Sequence, residues 1–500
     1  MGTIRKQAIY SSIVIYIGFF IGFLNTYFFV RNGNFTAEQY GLTRLMNDIA
    51  NVFFSFSTLG VVPFIYKFYP YYHDNLPKAK NDQVAISVSI LSLGCFIVTM
   101  LGVAFAPWFI KHFGQNKNQL LGNYYYWIFP IAIGLAAFTI FEGFAWFNQK
   151  NVVSSFLKET ATRLLQTILI VLFVFNYINF DTFIKFFSLC YPIIAITLIG
   201  YLYHQKLIVF NFTWSIVTKK FYKKALSLMG LLYGGLIITT LAQYVDSIFI
   251  GTLSSNGLKD VGIYTLASFI ASTVQVPQRS IIAATIPALS FAWKQKNLQE
   301  IDRIYKRSSI NLLLLSLMIF GIIWVNVDQL FEALNIQQDF AAGKTVILLA
   351  GMARIIDAGT GVNSQIIGTS NYWRFEVFSG IFLLAMLIPL NYFLVKSMGY
   401  NGSAISNLIS FLIYNAARLW FIWYKFKLQP FTVRTFFAPF IFILVYFIIH
   451  QVMYHIDGII GLLVRTISFV LLSSILVLVT RITPDATQLY YVALNKFKRR

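Results

Sequence analysis

Apolar runs long enough to cross a bilayer recur along the whole chain, separated by short polar connections. A membrane-spanning helix needs about 20 mostly apolar residues. The pattern therefore predicts an all-α polytopic membrane protein with about fourteen spanning helices. The predicted helices lie near residues 8–30, 42–66, 84–110, 121–146, 153–178, 182–203, 225–251, 262–289, 308–327, 343–367, 374–395, 401–423, 435–453 and 458–480.

One polar connection is longer than the others and divides the first twelve helices into six and six. It reads "HQKLIVFNFTWSIVTKKFYKK" and is both basic and aromatic, which is typical of a segment that lies along a membrane interface. The predicted organisation is two six-helix lobes followed by two C-terminal helices. Its parts are an N-terminal lobe at 1–203, a basic cytoplasmic linker at 204–224, a C-terminal lobe at 225–428, and helices thirteen and fourteen with a basic tail at 429–500.

Two segments suggest an internal repeat. "NTYFFVRNGNFTAEQYGL" begins at Asn25 and "DSIFIGTLSSNGLKDVGI" begins at Asp246, so equivalent positions are 221 residues apart, as are Gly41 and Gly262. Parallel repeats of helical bundles are a common plan for transporters. Asn25 and Asp246 fall at the predicted outer ends of their helices, where we expect a gate or a contact between lobes.

The composition agrees with a membrane protein and sets its orientation. Only 11% of residues are charged and the mean hydropathy is +0.68, whereas soluble proteins carry about 25% charged residues. With the N-terminus in the cytoplasm, 28 of the 39 Lys and Arg residues fall in cytoplasmic segments, including the tail "KFKRR", and 9 fall outside. This asymmetry predicts that both termini are cytoplasmic. It also accounts for most of the +21 net charge, so no nucleic-acid partner is expected.

Helix two carries a polar strip in its predicted outer half. A charge near the bilayer centre costs about 2.5–3.5 kcal/mol, so it normally faces protein or water. Arg44 and Asp48 are four residues apart and share a face with Asn47. Two interpretations stay open: the pair neutralises itself and locks the helix to its neighbours, or it lines a cavity for an anionic group.

Helix ten carries a second strip near the predicted midplane. Arg354 and Asp357 are three residues apart on one face; Asn363 continues the strip and Gln365 lies to one side. Four polar side chains exceed what helix locking requires, which favours a cavity lining.

Helix eight contains an arginine, Arg279, with no acidic residue one turn away. It follows Pro277, which removes a backbone hydrogen bond and can kink the helix. We expect Arg279 to face the cavity and to meet an anion such as phosphate, because guanidinium matches phosphate in a bidentate way.

Three basic residues are expected near the cytoplasmic ends of helices. Glu159 and Arg163 form a predicted intrahelical pair on helix five, and Lys158 beside them is a candidate for the cytoplasmic entrance together with Arg163. Arg418 on helix twelve is expected to extend toward the interface.

The sequence lacks the residue patterns that soluble enzymes use for catalysis. The two cysteines lie in apolar segments, the five histidines are scattered, and no glycine-rich phosphate loop is followed by a lysine. The sequence therefore predicts no metal, no cofactor and no ATPase, and a protein that is not an enzyme.

Several segments carry a resemblance to a known family. They are "YVDSIFIG" followed by "KDVGIYTLA" at 244–267, "NSQIIGTSNYWRFE" at 363–376, and "LNYFLVKSMGYNGSAISN" at 390–407. In this order the chain resembles polysaccharide (O-antigen or lipid-linked oligosaccharide) flippases, the polysaccharide transport family of the multidrug/oligosaccharidyl-lipid/polysaccharide (MOP) exporter superfamily. Ser403 stands where the family usually has alanine.

The resemblance implies two lobes that face a central cavity and expose it alternately to each side. It implies transport of a polyprenyl-diphosphate-linked oligosaccharide from the cytoplasmic to the outer leaflet of a bacterial inner membrane, for cell-surface polysaccharide biosynthesis. Polysaccharide-assembly proteins are then expected as partners. The resemblance leaves two energy sources open: the membrane potential and a coupling ion, H⁺ or Na⁺.

Two alternatives are kept. A multidrug/cation antiporter of the same superfamily would need an acidic cavity, whereas the deep acids here each have an arginine on the same helix. A membrane glycan polymerase or glycosyltransferase usually needs a sizeable outer loop for its catalytic groups, and the predicted outer loops are short.

Overall fold

The computed structural model describes residues 2–111, 119–453, 456, 458–483, 485, 488 and 491. Throughout that part of the chain the regular elements are helices, which confirms the predicted all-α class. The predicted tail "KFKRR" lies outside the described residues. The chain divides into two compact units, unit 1 (Met1–Gly262) and unit 2 (Ile263–Arg500).

Unit 1 contains ten complete helices, counted over its described residues. They are α1 (Gly2–Val30), α2 (Ala37–Ser57), α3 (Val61–Asn75), α4 (Gln83–Phe109), α5 (Gln119–Tyr124), α6 (Ile128–Phe147), α7 (Asn151–Ser155), α8 (Thr162–Val174), α9 (Phe180–His204) and α10 (Ile216–Leu253). The next helix, α11 (Leu258–Ser272), crosses the boundary between the units.

Unit 2 contains the remaining helices. They are α12 (Val276–Lys294), α13 (Leu298–Ala333), α14 (Gln338–Ala341), α15 (Lys344–Gly359), α16 (Asn363–Thr369), α17 (Trp373–Met398), α18 (Tyr400–Phe426), α19 (Val433–Met453) and α20 (Gly458–Val479).

Ten helices in the described residues are long and apolar enough to cross a membrane, and twelve spans result if each of two bent pairs counts as one. The bent pairs are α2 with α3, at 48°, and α15 with α16, at 46°. The predicted fifth and eighth spans correspond to interrupted stretches that fall outside this count. A π-helical segment, Phe156–Ala161, separates α7 from α8, and a 3₁₀ turn, Thr273–Gln275, separates α11 from α12.

Four arginines inside predicted spans lie on helices next to a bend, a π-helical segment or a 3₁₀ turn. Arg44 lies on α2, Arg163 on α8, Arg279 on α12 and Arg354 on α15. Departures from regular α-helix are frequent at functional positions, because they release backbone groups and re-aim side chains. Other charged spans, such as α18 with Arg418, are continuous helices, so the association holds for these four segments only.

Each unit has its own apolar core. In unit 1 the core gathers residues of α3, α4, α6, α9 and α10 around fully buried side chains such as Ile65 and Leu198. In unit 2, α13, α19 and α20 pack around Phe469, so the two C-terminal helices are part of this unit. A second core, around Tyr305 and Ile366, joins α12, α13, α16 and α18.

The two glycines of the predicted repeat pack against each other within unit 1. A Cβ on Gly41 would collide with the Leu258 carbonyl oxygen, and a Cβ on Gly262 would lie 2.5 Å from the Ala37 carbonyl oxygen. Ala37 and Leu258 are also 221 residues apart. A contact in which each partner touches the equivalent of the other is the signature of a local two-fold axis, which supports the repeat.

The helix assigned by sequence to the start of the C-terminal lobe packs in unit 1. The long α10 contacts α2 and α3 there. The predicted lobe boundaries at 203/204, 224/225 and 428/429 therefore stay predictions.

The segment after α20 is anchored on the first turns of α13. Asp485 accepts hydrogen bonds from Arg307 and, at 2.7 Å, from Asn311, while Thr483 donates to Asn311 at 2.8 Å. The hydrogen-bonding Arg307 guanidinium holds the pKa of the Asp485 carboxyl below its ordinary range.

Candidate functional site

The helix that carries Arg44 and Asp48 begins at Ala37, five residues before the predicted start of the second span at 42. Thr36 caps the helix, and the reciprocal bonds between Thr36 and Gln39 form the capping box. The amide nitrogen of Asn47 donates to the Thr43 carbonyl at 3.0 Å, and the amide oxygen of Asn47 is buried without a hydrogen-bond partner in the described structure. The Asn47 amide oxygen can therefore still accept a hydrogen bond.

Arg44 and Asp48 do not form the ion pair that the self-neutralising interpretation requires. No Asp48 oxygen lies within 4 Å of the Arg44 side-chain nitrogens; instead Arg44 donates to the Thr26 hydroxyl at 3.4 Å and lies over the Tyr40 ring at 4.9 Å. Ser247 on α10 is a polar neighbour of Asp48. The helical spacing brings the two charges near each other, but other helices supply their closest partners.

Asp48 also lies near Asp246 on α10, within electrostatic reach. This places one of the predicted gate residues beside the α2 strip inside unit 1. Whether Asp246 acts as a gate stays a prediction.

Asn25 connects α1 to α8. Its amide donates to the Arg163 carbonyl at 2.9 Å and its oxygen accepts from Thr167 at 2.7 Å, and the side chain is buried. Arg163 itself pairs with Glu159 at 3.0 Å, as the four-residue spacing predicts. One terminal nitrogen of Arg163 is buried and has no acceptor among the described residues.

Two further residues of this cluster were missed by sequence reasoning. Tyr191 on α9 lies beside Gln166 on α8 and within electrostatic reach of both Arg44 and Arg163. The surroundings of Tyr191 thus include two arginines of unit 1. Gln166 shares a helix face with Arg163 at a three-residue spacing, which could have indicated it; Tyr191 has no such local signal.

The predicted entrance lysine has a carboxylate partner. Lys158 pairs with Glu142 on α6 at 2.9 Å; Glu142 is buried whereas about half of the Lys158 side chain is exposed. Lys158 therefore neutralises a buried acid, and its role at an entrance stays a prediction.

In unit 2, the predicted tenth span breaks one turn after Asp357. Gly361 has a φ of +72°, a conformation that a side chain disfavours, and the break bends α16 by 46° from α15. The Ser309 hydroxyl donates to the Gly359 carbonyl at 2.5 Å, which satisfies part of the open end of α15. The strip from Arg354 to Asn363 is therefore not one continuous helix face.

Asp357 is held by carboxamide groups. Gln275 donates to it at 2.8 Å, Gln278 at 3.4 Å and Asn415 at 3.2 Å. Gln275 belongs to the 3₁₀ turn and Gln278 to α12, while Asn415 lies on α18. Neutral donors from three neighbouring segments thus surround the carboxylate.

Arg354 is left without a carboxylate. No oxygen of Asp357 or of another described acid lies within 4 Å of its guanidinium nitrogens, and its observed contact is with the Phe411 ring at 5.4 Å. The local pairing that the three-residue spacing suggested is absent, so the positive charge of Arg354 is not neutralised by its helix.

Asn363 joins the Asp357 network across the break. Its amide donates to Thr360 at 3.0 Å and to the Asn415 oxygen at 3.1 Å, and the side chain is buried. Gln365 is half-buried on α16 and is not part of this network.

Arg279 lies in the first turn of α12, directly after the 3₁₀ turn, with an exposed side chain. It forms no hydrogen bond or ion pair with any residue that the structure describes. The sequence predicts that Arg279 has no acidic partner on its own helix, and among the described residues it has none.

The expectation that Arg418 extends to the interface is wrong. Its side chain is 6% exposed, pairs with Glu376 on α17 and lies 3.8 Å from the centre of the Tyr414 ring. Ser364 donates to the same carboxylate at 2.7 Å. This buried pair ties α16, α17 and α18 together, because an unpaired charge at that depth would be costly.

Comparison with known proteins identifies the fold. No protein-family model matches the chain, and no curated protein matches it closely enough to count as a relative. Solved structures do match. The lipid II flippase MurJ, in an inward closed conformation, aligns with a TM-score of 0.72 at 13% identity, over 94% of this chain and 99% of that one.

Two other transporters match over most of their length. An inward-facing multidrug resistance MATE family transporter of the MOP superfamily aligns with a TM-score of 0.63 at 13% identity, covering 81% of this chain and 94% of that one. A MOP superfamily transporter from Pyrococcus furiosus aligns at 0.55 and 15% identity, covering 85% and 96%. The chain therefore has the fold of the MOP transporters, as the sequence resemblance predicted.

Proposed function

We propose that this protein moves a polyprenyl-diphosphate-linked oligosaccharide from the cytoplasmic to the outer leaflet of a bacterial inner membrane, for cell-surface polysaccharide biosynthesis. One observation carries the proposal. Three arginines in the irregular segments, Arg44, Arg279 and Arg354, have no carboxylate within 4 Å among the described residues. The deep acid Asp357, by contrast, is held by neutral donors.

Unpaired guanidinium groups in a membrane protein need an anion. Their charge is costly near hydrocarbon, and a diphosphate supplies two groups that match guanidinium geometry. A polyprenyl tail stays in the lipid while the diphosphate and glycan cross. The arginines would replace part of the phosphate hydration during that step.

The hydrogen bonding of Asp357 argues against a cation antiporter. Gln275 and Asn415 present N–H donors to its oxygens, whereas a cation would need those oxygens unoccupied. An exporter of cationic drugs would also repel its substrate at Arg354 and Arg279.

The proposed cycle is alternating access, as in transporters built from parallel repeats. In an inside-negative cell, outward movement of each negative charge gains about 2.3 kcal/mol per 100 mV. The membrane potential can therefore drive export, and a coupling ion, H⁺ or Na⁺, would add to it. Polysaccharide-assembly proteins would supply and remove the glycan lipid; the transporter itself performs no bond chemistry in this proposal.

Flipping can be measured directly in proteoliposomes. The probe is a polyprenyl diphosphate carrying a fluorescent disaccharide, and its inner-leaflet fraction is read by quenching with an impermeant reductant. Arg279→Ala and Arg354→Ala should each lower the rate about tenfold or more, the value of one charged hydrogen bond. Arg374→Ala, at an exposed arginine that stacks on Trp373 at 5.6 Å, is the matched control.

Wild-type rates in both variants would refute the assignment of these arginines to the substrate. If the wild-type protein fails to flip the probe but exports a cationic dye against a proton or sodium gradient, the antiporter alternative is correct.

A further inference from the structure

The loop between α3 and α4 packs against the linker at one face of unit 1. Together they form an open cavity of about 680 Å³. Its wall includes Lys78 from the loop and His204, Lys206 and Phe210 from the end of α9 and the linker. Two segments more than 120 residues apart in sequence thus place three basic side chains around one concave surface.

A buried carboxylate fixes this arrangement. Asp82, 1% exposed, accepts a hydrogen bond from the Ser215 backbone at 2.8 Å and from the Thr218 hydroxyl at 2.7 Å. The Tyr72 hydroxyl is 2.8 Å from the same Thr218 hydroxyl. These contacts bind the end of the loop to the start of α10, so the fold holds the loop that carries Lys78 in place.

The surroundings of the cavity are strongly positive. Seven exposed lysines belong to the loop, the linker and the first turns of α10; they are Lys78, Lys80, Lys206, Lys219, Lys220, Lys223 and Lys224. Of the acids on these segments, Asp82 is buried and engaged, and the exposed Asp74 contacts His73 at 3.0 Å. The N-terminus of α10, which carries the positive end of the helix dipole, lies next to the same loop.

Large apolar side chains project from the linker beside the lysines. Phe212, Trp214 and Ile216 are each exposed by 65% or more. Aromatic residues of this kind favour the boundary between hydrocarbon and headgroups, and lysines next to them are attracted to anionic lipid. The charge asymmetry of the chain explains basic loops in general. It does not explain why these loops form a cavity or why Asp82 binds the loop to α10.

We propose that this basic face is a binding site for an anionic phospholipid. The headgroup phosphate contacts Lys78 and Lys206 in the cavity, while the linker aromatics anchor the segment in the interface. The site is separate from the polar strips proposed to carry the substrate.

Lipid binding to the detergent-purified full chain tests this proposal. Phosphatidylglycerol is titrated and its retention read by native mass spectrometry, with phosphatidylcholine as the zwitterionic comparison. Lys78→Gln with Lys206→Gln should weaken phosphatidylglycerol binding about tenfold, since each lysine near an anionic surface contributes several-fold. Lys425→Gln with Lys427→Gln is the matched control, because it removes the same charge from exposed positions in unit 2.

The outcomes are separable. Loss in the cavity variant alone supports the site. Unchanged binding in the cavity variant, or equal loss in both double variants, overturns it in favour of diffuse charge attraction. If inorganic phosphate displaces the lipid at equal concentration, the cavity recognises phosphate alone and the lipid assignment is wrong. None of these results depends on flipping of the fluorescent probe, so the two proposals stand or fall separately.

Discussion

At the residue scale, helical spacing identifies which side chains share a face but not which atoms bond. Arg354 and Asp357 are one turn apart on α15, yet Asp357 bonds to Gln275 and Asn415 from other segments. Arg418, which has no acid one turn away on its own helix, pairs with Glu376 on α17 instead. Ion pairs in the described structure are therefore of both kinds: Glu159 and Arg163 pair within one helix, whereas Glu376 and Arg418 pair between helices.

Double-mutant cycles should separate the two cases. Glu376→Gln should destabilise the protein by about 3–5 kcal/mol, because it leaves the buried Arg418 guanidinium without its carboxylate. Arg418→Gln should cost less, because the Glu376 side chain is 26% exposed, and the double variant should lose less than the sum. Arg354→Gln with Asp357→Asn should be additive within about 0.5 kcal/mol. Thermal unfolding of the purified variants measures both cycles; strong coupling between Arg354 and Asp357 would contradict their separation.

At the element scale, four of the helices that carry arginine inside predicted spans lie next to a bend or a change of helical type. The break between α15 and α16 depends on Gly361, whose φ of +72° suits only glycine well. A Cβ at this position would also lie 3.0 Å from both the Ser308 hydroxyl and the Ser309 backbone nitrogen. The break is therefore built into the packing of α13 against this segment.

Gly361→Ala should lower stability by about 1–2 kcal/mol, the cost of the left-handed conformation for a residue with a side chain. Gly368→Ala on α16 is the control: nothing lies within 4 Å of a Cβ there, so the more helix-favouring alanine should be neutral or stabilising. Melting temperatures of the two variants measure this difference in stability. Equal melting temperatures would mean that the backbone at Gly361 relaxes without cost.

At the scale of the whole molecule, the distribution of lysine and arginine predicts the orientation of every span. Ser255, in the loop before α11, belongs to the predicted outer side, and Thr213, in the linker, to the predicted cytoplasmic side. Both are exposed, while the two native cysteines are half-buried and buried.

Labelling of single cysteines checks the orientation. In intact cells, an impermeant maleimide should modify Ser255→Cys and should reach Thr213→Cys only after permeabilisation, with the unsubstituted protein giving the background. The reverse labelling would show that the charge asymmetry has been assigned to the wrong side.

The lengths and positions of the apolar runs determined the membrane class and the approximate positions of most spans. Lipid imposes this, because a spanning segment must be long, apolar and internally hydrogen-bonded whatever surrounds it. The 221-residue offset likewise indicated the repeat that the contact of Gly41 with Gly262 supports.

Only the tertiary structure decided what each polar group binds. Three arrangements join segments that are distant in sequence. Arg44 and Arg163 lie near Tyr191, carboxamide groups donate hydrogen bonds to Asp357, and Asp82 accepts from the Ser215 backbone. Such contacts depend on how helices cross, and a polar group in an apolar surrounding takes whichever partner that crossing brings within reach. The sequence shows where a partner is required, and the packing of the helices determines which residue it is.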